Sequence, residues 1–427
     1  MRLRLKATHV VLAMLCIMYL TTYVDRVNIS TAASEIQKEL HLSNTELGLV
    51  FSAFAYPYLL FQVIGGWVGD RFGPRKTLFW CGIIWAAATI MTGFVTSLLT
   101  LFIARVALGF GEGATFPTAT RAMQYWTPAN KRGFAQGLTH ASARLGNAVT
   151  PPLIAALMAW LTWRGSFVVL GMVSLIWGVI WFLYFRNEPK DHPAITEAEL
   201  ASLPPRPVNA RPQVPWGPLV RRMWPVTLTY FCYGWSLWLY LNWLPLFFKN
   251  NYSLDIKSSA LFASGVFLAG VIGDSLGGIL SDRILKMTGN VRLARLSVTV
   301  AGFAGALLSL LPILFVHDIT VVALCLSGGF FFSELIIGPI WSVPMDIAPK
   351  YSGTAAGLMN TGSALAAIVS PLVAGYVIDV TGNWYLPFLM SMGLLLLGGF
   401  CAFLMHPELP FREDNTMAPA GRPVTAG

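Results

Sequence analysis

Residues 66–76 read GWVGDRFGPRK, and the first six letters return in altered form as GILSDR at residues 278–283. The two copies share Gly, Asp and Arg at the same spacing, 212 residues apart. A second set of matches follows later in each half at an offset of 220 residues: Gly133, Gly137 and Pro151 against Gly353, Gly357 and Pro371. Ordered matches at such landmarks indicate two related halves in parallel repeat.

Long apolar stretches surround both copies. The chain of 427 residues is 55% hydrophobic and only 11% charged, whereas soluble proteins carry about 25% charged residues. The composition therefore excludes an ordinary soluble protein and indicates a polytopic membrane protein. Stretches of about 20 apolar residues are long enough to cross a bilayer. We predict twelve spans, near residues 9–32, 45–67, 77–97, 99–122, 134–160, 165–185, 224–248, 258–281, 293–314, 317–342, 353–378 and 384–405.

The distribution of basic residues predicts the topology. With the N-terminus in the cytoplasm, only four of the 29 Lys and Arg residues fall in outward-facing loops: Lys38, Arg164, Lys249 and Lys257. All others except three lie in cytoplasmic segments, as the positive-inside rule requires. The formal charge of +9 therefore reflects the membrane topology and does not indicate nucleic-acid binding. We expect a multi-pass protein of the cell inner membrane with both termini in the cytoplasm.

The spans divide the chain into four parts. We predict an N-terminal six-helix bundle over 1–186, a cytoplasmic linker over 187–221, a C-terminal six-helix bundle over 222–406 and a short cytoplasmic tail over 407–427. The predicted fold class is an all-α membrane protein with twelve spans in two bundles. We expect it to work as a monomer within the lipid bilayer.

Five charges lie inside the predicted spans of the first half: Asp25, Arg26, Arg105, Glu112 and Arg144. A charge near the bilayer centre costs from a few to about 10 kcal/mol and is rarely kept without a partner or a use. Structural ion pairs between the first and fourth spans are the simpler explanation, but opposed charges would then suffice without a third arginine. The set predicts a functional site for an anion and protons.

The stretch at 66–76 resembles the signature of the major facilitator superfamily, which lies between its second and third helices, and the degenerate copy follows the eighth span. The resemblance implies twelve helices in two six-helix bundles and a transport function. It also implies that these loops are gates that do not contact substrate. The gating residues are then Gly66, Asp70, Arg71, Arg75, Asp282 and Arg283.

A narrower resemblance is carried by Tyr23-x-Asp25-Arg26-x-Asn28 in the first span and by Arg105-x6-Glu112-Gly-x-x-x-Pro117 in the fourth. These motifs are similar to those of the anion:cation symporter family, which includes galactonate, glucarate, hexuronate and aromatic-acid transporters. The resemblance implies uptake of an organic anion (a sugar acid, a dicarboxylate, or a sulfonated or aromatic carboxylate) with protons, by alternating access. Anion exchange, export and a non-transporting membrane sensor are the alternatives.

The resemblance also suggests roles for the charges. Arg26 offers a planar fork that matches a carboxylate and stays charged when desolvated. Asp25 and Glu112 become the proton sites. Arg105, two helical turns before Glu112, is expected to pair with that carboxylate when it is ionised and to move when it is not. We expect Tyr23 and Tyr58 to contribute to the anion site.

Arg144 departs from the pattern expected of sugar-acid carriers, where the fifth helix presents an uncharged polar residue. It lies one helical turn from His140 on the same face, and both are candidate substrate-binding residues. Two explanations remain open: Arg144 pairs with an acidic residue such as Glu112, or it forms a second anion clamp for a substrate with two acidic groups.

The second half supplies further candidates. Tyr240, Asn242 and Asn360 are expected to line the substrate cavity. Glu334 is a candidate third proton site, whereas Asp274 is expected to be structural. The sequence contains no metal-ligand spacing and no catalytic cluster, so we expect a protein that is not an enzyme and needs no cofactor or metal. Its expected partners are a small organic anion and protons.

Overall fold

The computed structural model describes residues 6–128, 132–203, 214–348 and 352–411. The helices of the first half are α1 (Ala7–Leu40), α2 (Asn44–Ala53), α3 (Ala55–Phe72), α4 (Pro74–Thr92), α5 (Leu98–Gly113), α6 (Thr115–Trp126), α7 (Arg132–Trp160) and α8 (Trp163–Tyr184). The linker contains a 3-10 turn, Pro189–Asp191, and the short helix α9 (Glu197–Ser202).

The second half repeats this arrangement. Its helices are α10 (Trp216–Asn251), α11 (Ile256–Thr288), α12 (Val291–Leu310), α13 (Ile319–Leu335), α14 (Ile337–Ile347), α15 (Ser352–Thr381) and α16 (Leu386–Ala402). Counting α2–α3, α5–α6 and α13–α14 as one span each, twelve spans form two bundles of six, which confirms the predicted fold class. By length and composition alone, seven of the helical stretches in the described ranges are apolar and long enough to cross a membrane. The boundaries of the bundles, linker and tail stay a prediction, and residues 204–213 and 412–427 lie outside the described part.

Three spans lose their regular helical hydrogen bonding at a single residue, at Phe54, Ala114 and Ile336. A proline lies three residues after each: Pro57, Pro117 and Pro339. Proline has no backbone N–H, so the carbonyl four residues earlier loses its helical partner. Each interruption therefore has a local cause in the sequence.

The two halves meet at the end of the spans that the sequence predicts to face outward. Asp379 of α15 accepts hydrogen bonds from the backbone and side-chain amides of Asn44, at 3.0 and 2.8 Å, and from the backbone N–H of Thr45 at 2.6 Å. A carboxylate at a helix N-terminus is favourable because the first amides have no partner within the helix. Close by, the Lys249 ammonium donates to the Ser34 hydroxyl at 2.7 Å. These contacts hold the halves together at this end.

The linker is attached to the first half. The Glu199 carboxylate of α9 accepts hydrogen bonds from the backbone N–H of Thr8 at 3.2 Å and its hydroxyl at 3.0 Å. Partial burial opposes ionisation of Glu199, but the hydrogen bonds from Thr8 and Thr196 outweigh it and lower the pKa of the carboxyl group. This contact anchors α9 at the start of α1.

The contact between Asp379 and α2 predicts a change in hydrogen exchange. Asp379→Ala removes the acceptor for the first two amides of α2, so we expect their exchange to rise by about 10-fold, the loss of roughly one hydrogen bond. Hydrogen–deuterium exchange of the peptide that contains residues 44–47 measures this.

The matched control is Asp255→Ala, because Asp255 caps α11 at the same end of the molecule through the Ser258 backbone N–H, at 3.2 Å and within one half. That variant should leave exchange in residues 44–47 unchanged. Unchanged exchange in Asp379→Ala would show that this contact does not hold the halves together.

Candidate substrate and proton site

The centre of the first half contains a buried ion pair. Nε of Arg26, on α1, donates to Oε2 of Glu112, on α5, at 2.7 Å. Arg26 is 3% exposed and Glu112 is fully buried. The sequence predicted Arg105 as the partner of Glu112, and in this structure Arg26 takes that place. Seven residues separate Arg105 from Glu112, about 10 Å along the helix, whereas Arg26 faces Glu112 from the neighbouring helix.

Aromatic rings surround the Arg26 guanidinium group. Its central carbon lies 4.7 to 5.1 Å from the ring centres of Tyr23, Phe54, Tyr58 and Phe116. Rings at this distance attract a cation and exclude water from it. Phe54 is the residue at which the second span is interrupted, so the interruption helps to present this ring to the arginine.

Asp25 and Arg26 point to different neighbours, as adjacent helical residues must. Oδ2 of Asp25 accepts a hydrogen bond from the Ser174 hydroxyl of α8 at 3.2 Å. Arg105 is 2% exposed, and its Nε has no hydrogen-bond partner among the described residues. Its guanidinium carbon lies 5.6 Å from the centre of the Phe54 ring. Asp25 on α1 and Arg105 on α5 are thus two further buried charges on the helices that carry the Arg26–Glu112 pair.

Arg144 joins the two halves. Its Nε lies 3.1 Å from Oε2 of Glu334 on α13 and 3.3 Å from Oδ2 of Asp274 on α11. Arg144 thus pairs with acidic residues, as one of the two predicted explanations has it, but these are Glu334 and Asp274 and not Glu112, because α7 presents Arg144 to the second half. Asp274, which we expected to be only structural, is a direct partner of this arginine. Tyr233 donates a hydrogen bond to Oε1 of Glu334 at 3.0 Å.

Glu112 and Glu334 are repeat equivalents. They lie 222 residues apart, and each is followed five residues later by a proline, Pro117 or Pro339. Each glutamate therefore lies two residues before the interruption of its span. Both are fully buried and both face an arginine from the first half. The site contains two arginine–glutamate pairs, one within a bundle and one between the bundles.

In both pairs the arginine has a buried nitrogen that donates no hydrogen bond within the described part of the chain. Nη2 of Arg26 and Nη1 of Arg144 are buried and have no hydrogen-bond partner among the described residues. A buried donor without a partner costs about 1–3 kcal/mol, and more when the group is charged. Such donors mark the atoms that a bound anion would satisfy.

The other predicted binding residues differ in their surroundings. Tyr58 is buried beside Arg26. His140 is half-buried, with its ring centre 5.6 Å from that of Tyr19 and 5.9 Å from that of Trp341 in the second half. Asn360 is half-buried on α15.

Two predicted cavity residues are buried in the second half. Tyr240 is 1% exposed, its ring stacks on Phe330, and its hydroxyl has no partner within the described part of the chain. Asn242 is 3% exposed and donates its amide to the Trp238 carbonyl at 2.7 Å. Among the described residues, no hydrogen bond or ion pair joins either of them to the charged pairs.

Sequence reasoning missed several residues that hold these charges in place: Phe54, Phe116, Ser174 and Tyr233. Tyr233 lies 210 residues after Tyr23, close to the repeat offset, and this spacing could have identified it. The others are common residue types with no distinguishing spacing, so only the packing of the helices identifies them.

The predicted gating loop after α3 docks within its own half. Gly73 has φ of 78°, a left-handed value, and a Cβ there would overlap the Asn187 side chain. Arg75 fixes the loop in this position through two hydrogen bonds. Its backbone N–H donates to the Asn187 side chain and its Nε donates to the Phe182 carbonyl, both at 2.9 Å. Arg71 lies with its guanidinium carbon 5.8 Å from the ring centre of Phe72. The surroundings of Gly66 and the side chain of Asp70 lie outside the described part of the structure.

The second copy of the loop also makes contacts within one half. Nη1 of Arg295 lies 3.4 Å from Asp282 and its Nε lies 2.9 Å from Asp346. Arg283, beside Asp282, is exposed. The acidic residue of this copy therefore pairs with an arginine of α12 in the same half.

A family model for the Major Facilitator Superfamily matches residues 15–371. The chain belongs to this superfamily. It is 49% identical over 422 residues to a protein of Cupriavidus necator named as a probable sulfoacetate transporter, covering 98% of both chains. It is 31% identical over 412 residues to a protein of Escherichia coli K12 named as a probable galactarate/D-glucarate transporter, covering 89% of both. Both names describe transporters of organic anions, as the resemblance to the anion:cation symporters implies.

A solved structure shares the fold. A bacterial homologue of the human lysosomal transporter Spinster matches with a TM-score of 0.73 and 16% identity, over 93% of this chain and 97% of that one. The match supports, for the present chain, the twelve-helix fold that its sequence and its helix arrangement indicate.

The buried pair predicts an asymmetric effect on stability. Arg26→Ala leaves Glu112 without its cation, so we expect the free energy of unfolding to fall by about 3–5 kcal/mol. The double variant Arg26→Leu/Glu112→Leu removes both charges and should recover most of this loss. Thermal unfolding of the purified protein in detergent measures both.

Lys249→Ala is the control, because it breaks the partly exposed pair with Glu35, in which Nζ lies 3.3 Å from the carboxylate. Exposed pairs contribute about 1 kcal/mol or less. Equal loss of stability in the single and double variants would contradict the assignment of a mutually dependent buried pair.

Proposed function

We propose that this chain is a secondary active transporter that imports a small organic anion together with protons by alternating access of its two bundles. The observation that carries the proposal is the buried Arg26–Glu112 pair, 2.7 Å long, next to a second carboxylate at Asp25. A membrane protein gains little stability from such a cluster, because desolvation offsets much of the attraction. A transported anion and a proton give these charges a use.

Arg26 is the proposed anchor for the anion. Its Nε is engaged by Glu112, while its buried Nη2 has no partner among the described residues. An incoming carboxylate can accept from Nη2 and then compete with Glu112 for the rest of the guanidinium fork. The rings of Tyr23 and Tyr58 beside Arg26 keep the interaction dry, which strengthens it.

Glu112 and Asp25 are the proposed proton sites. When an anion takes over Arg26, Glu112 loses its cation and must bind a proton or another cation. Arg105, whose Nε is buried without a described partner, is the proposed cation that moves between these carboxylates. Anion binding is thereby linked to proton binding, because unpaired charge in the bilayer interior is costly.

Alternating access requires the contacts between the bundles to change. The outward-facing end is held by the bonds of Asp379 to α2 and of Lys249 to Ser34. The pair of Arg144 with Glu334 lies deeper in the same interface. We propose that these contacts open when the carrier reorients, and that the loops with Asp70, Arg71, Arg75, Asp282 and Arg283 form the gate at the cytoplasmic end.

The names of the relatives support a substrate class. One relative is named for sulfoacetate and another for galactarate and D-glucarate. We propose an organic anion of this range, with sulfoacetate as the first candidate because the protein named for it shares 49% of its residues with this chain. The proposed location is the cell inner membrane, with both termini in the cytoplasm and the protein acting as a monomer.

Uptake into proteoliposomes tests the proposal. Purified protein is reconstituted, and accumulation of labelled sulfoacetate is measured with and without an imposed inward proton gradient. The proposal predicts several-fold stimulation by the gradient. Transport only against a preloaded internal anion would instead identify an exchanger, and binding without any transport would identify a sensor.

Asp25→Asn separates binding from proton coupling. We expect counterflow of sulfoacetate to persist and gradient-driven accumulation to fall to the level seen without a gradient, because an amide cannot carry the proton. Ser174→Ala, which removes only the hydroxyl that donates to Asp25, is the control and should keep accumulation. Intact accumulation in Asp25→Asn would remove Asp25 from the coupling mechanism.

A further inference from the structure

We propose that His192, in the linker between the two bundles, is a switch that releases the linker from the first bundle when the cytoplasm becomes acidic. The part of the linker concerned is residues 186–199, here called the linker strap. Its release can be measured without any substrate. Only the expected consequence, slower transport, rests on the function proposed above.

The linker strap ties together three helix ends of the first bundle. The indole N–H of Trp126, the last residue of α6, donates to the Arg186 carbonyl at 2.9 Å. The backbone N–H of Arg75, at the start of α4, donates to the side chain of Asn187 at 2.9 Å. At the other end of the strap, Glu199 holds the start of α1. The strap therefore fixes the ends of three spans relative to one another.

The second bundle has a similar strap after its own last span, at residues 405–411. Arg222 of α10 donates to three carbonyl groups of this stretch, at 2.7 to 3.0 Å. Arg292 of α12 pairs with a carboxylate of the stretch at 2.9 Å. The backbone N–H of Phe411 donates to the last carbonyl of α14 at 2.6 Å. Helices α10, α12 and α14 correspond to α1, α4 and α6, so both bundles are tied at equivalent helix ends.

His192 lies in the middle of the linker strap and is 4% exposed. Its ring centre lies 5.3 Å from that of Trp126 and 4.6 Å from that of Tyr184. Its Nδ1 accepts a hydrogen bond from the backbone N–H of Ala194 at 3.1 Å. A backbone amide can only donate, so Nδ1 carries no proton and the docked imidazole is neutral. A second proton would occupy Nδ1, break this hydrogen bond and place a charge in a buried site.

The groups around His192 have opposing effects on its protonation. Arg186 disfavours a second cation and Glu199 favours one, while α8 contributes the Tyr184 backbone and α6 the uncharged Trp126. Burial and Arg186 outweigh the other two, so the pKa of the docked His192 is lowered from its ordinary value of 6.5. The released strap therefore binds more protons than the docked one. Docking is at full strength above about pH 6.5 and weakens as the pH falls below this value.

Release of the strap would free the end of α6. This helix continues the span of α5, from which the interruption at Ala114 separates it. It carries Phe116, one of the rings around Arg26. With its last residue untied, α6 can change its angle at the interruption and disturb the buried pair, so we expect slower transport. Because a carrier that imports protons acidifies the cytoplasm, the switch would limit uptake when acid accumulates.

Hydrogen–deuterium exchange of the full chain in detergent tests the release. The exchange rates of peptides containing residues 7–10 and 194–200 are divided by those of His192→Gln at the same pH, which cancels the chemical pH dependence of exchange. Glutamine can accept from Ala194 but does not titrate. We expect this ratio to rise by at least about threefold from pH 7.5 to pH 5.5, with an upper limit of about 10-fold for an ordinary histidine pKa. A smaller rise would overturn the switch.

Two further variants show whether the charge of His192 causes the release. His192→Lys carries a permanent charge, so it should raise exchange at pH 7.5 at least to the level that the unmodified protein reaches at pH 5.5. His9→Gln removes an exposed histidine beside the same anchor on α1 and should keep the full pH response. Unchanged exchange in His192→Lys, or a lost response in His9→Gln, would contradict the assignment to His192.

Counterflow of labelled sulfoacetate in proteoliposomes tests the consequence for transport. The pH is the same on both sides, so the orientation of the protein does not matter. We expect equal rates for the unmodified protein and His192→Gln at pH 7.5, and a rate at least about twofold lower in the unmodified protein at pH 5.5. Equal rates at pH 5.5 would overturn the regulatory role. If neither protein transports but the exchange response is present, the proposed transport is wrong and the switch stands.

Discussion

The buried pair between Arg26 and Glu112 is the interaction on which the rest of the site depends. Neither group can be left alone in the bilayer interior, since an uncompensated charge there costs several kcal/mol. Anything that engages one of them must therefore compensate the other. The four aromatic rings around Arg26 exclude water from the pair and make this requirement strict. The proposed coupling of an anion to protons follows from this constraint.

The repeat extends this chemistry to the second half. Glu334 occupies the position of Glu112, two residues before a proline-induced interruption of its span. Its cation, Arg144, comes from the other bundle. One pair therefore lies within a single bundle, while the other crosses the interface that would change in the proposed transport cycle.

Much of the fold could be predicted because it follows from local patterns: apolar spans, the positive-inside rule and the repeated loop at Asp70 and Asp282. The buried charges could also be identified from the sequence, because they lie within apolar spans. Their pairing was not, because helical spacing gives the face of a residue but not the neighbour that it meets. Thus Glu112 pairs with Arg26 and not with Arg105, and Arg144 reaches Glu334 across the interface. The Glu-x4-Pro repeat was present in the sequence and would have linked the two glutamates.

The proposed coupling is that the site binds an anion and protons together, because both act on the same buried charges. Proton uptake on ligand binding tests it most directly: sulfoacetate is added to the purified protein in weakly buffered detergent solution, and a pH indicator dye reports protons taken from solution. We expect uptake of roughly one proton or more per bound anion between pH 6 and 8, since a carboxylate that loses its arginine must be neutralised. Saturable binding with no proton uptake across this range would contradict it.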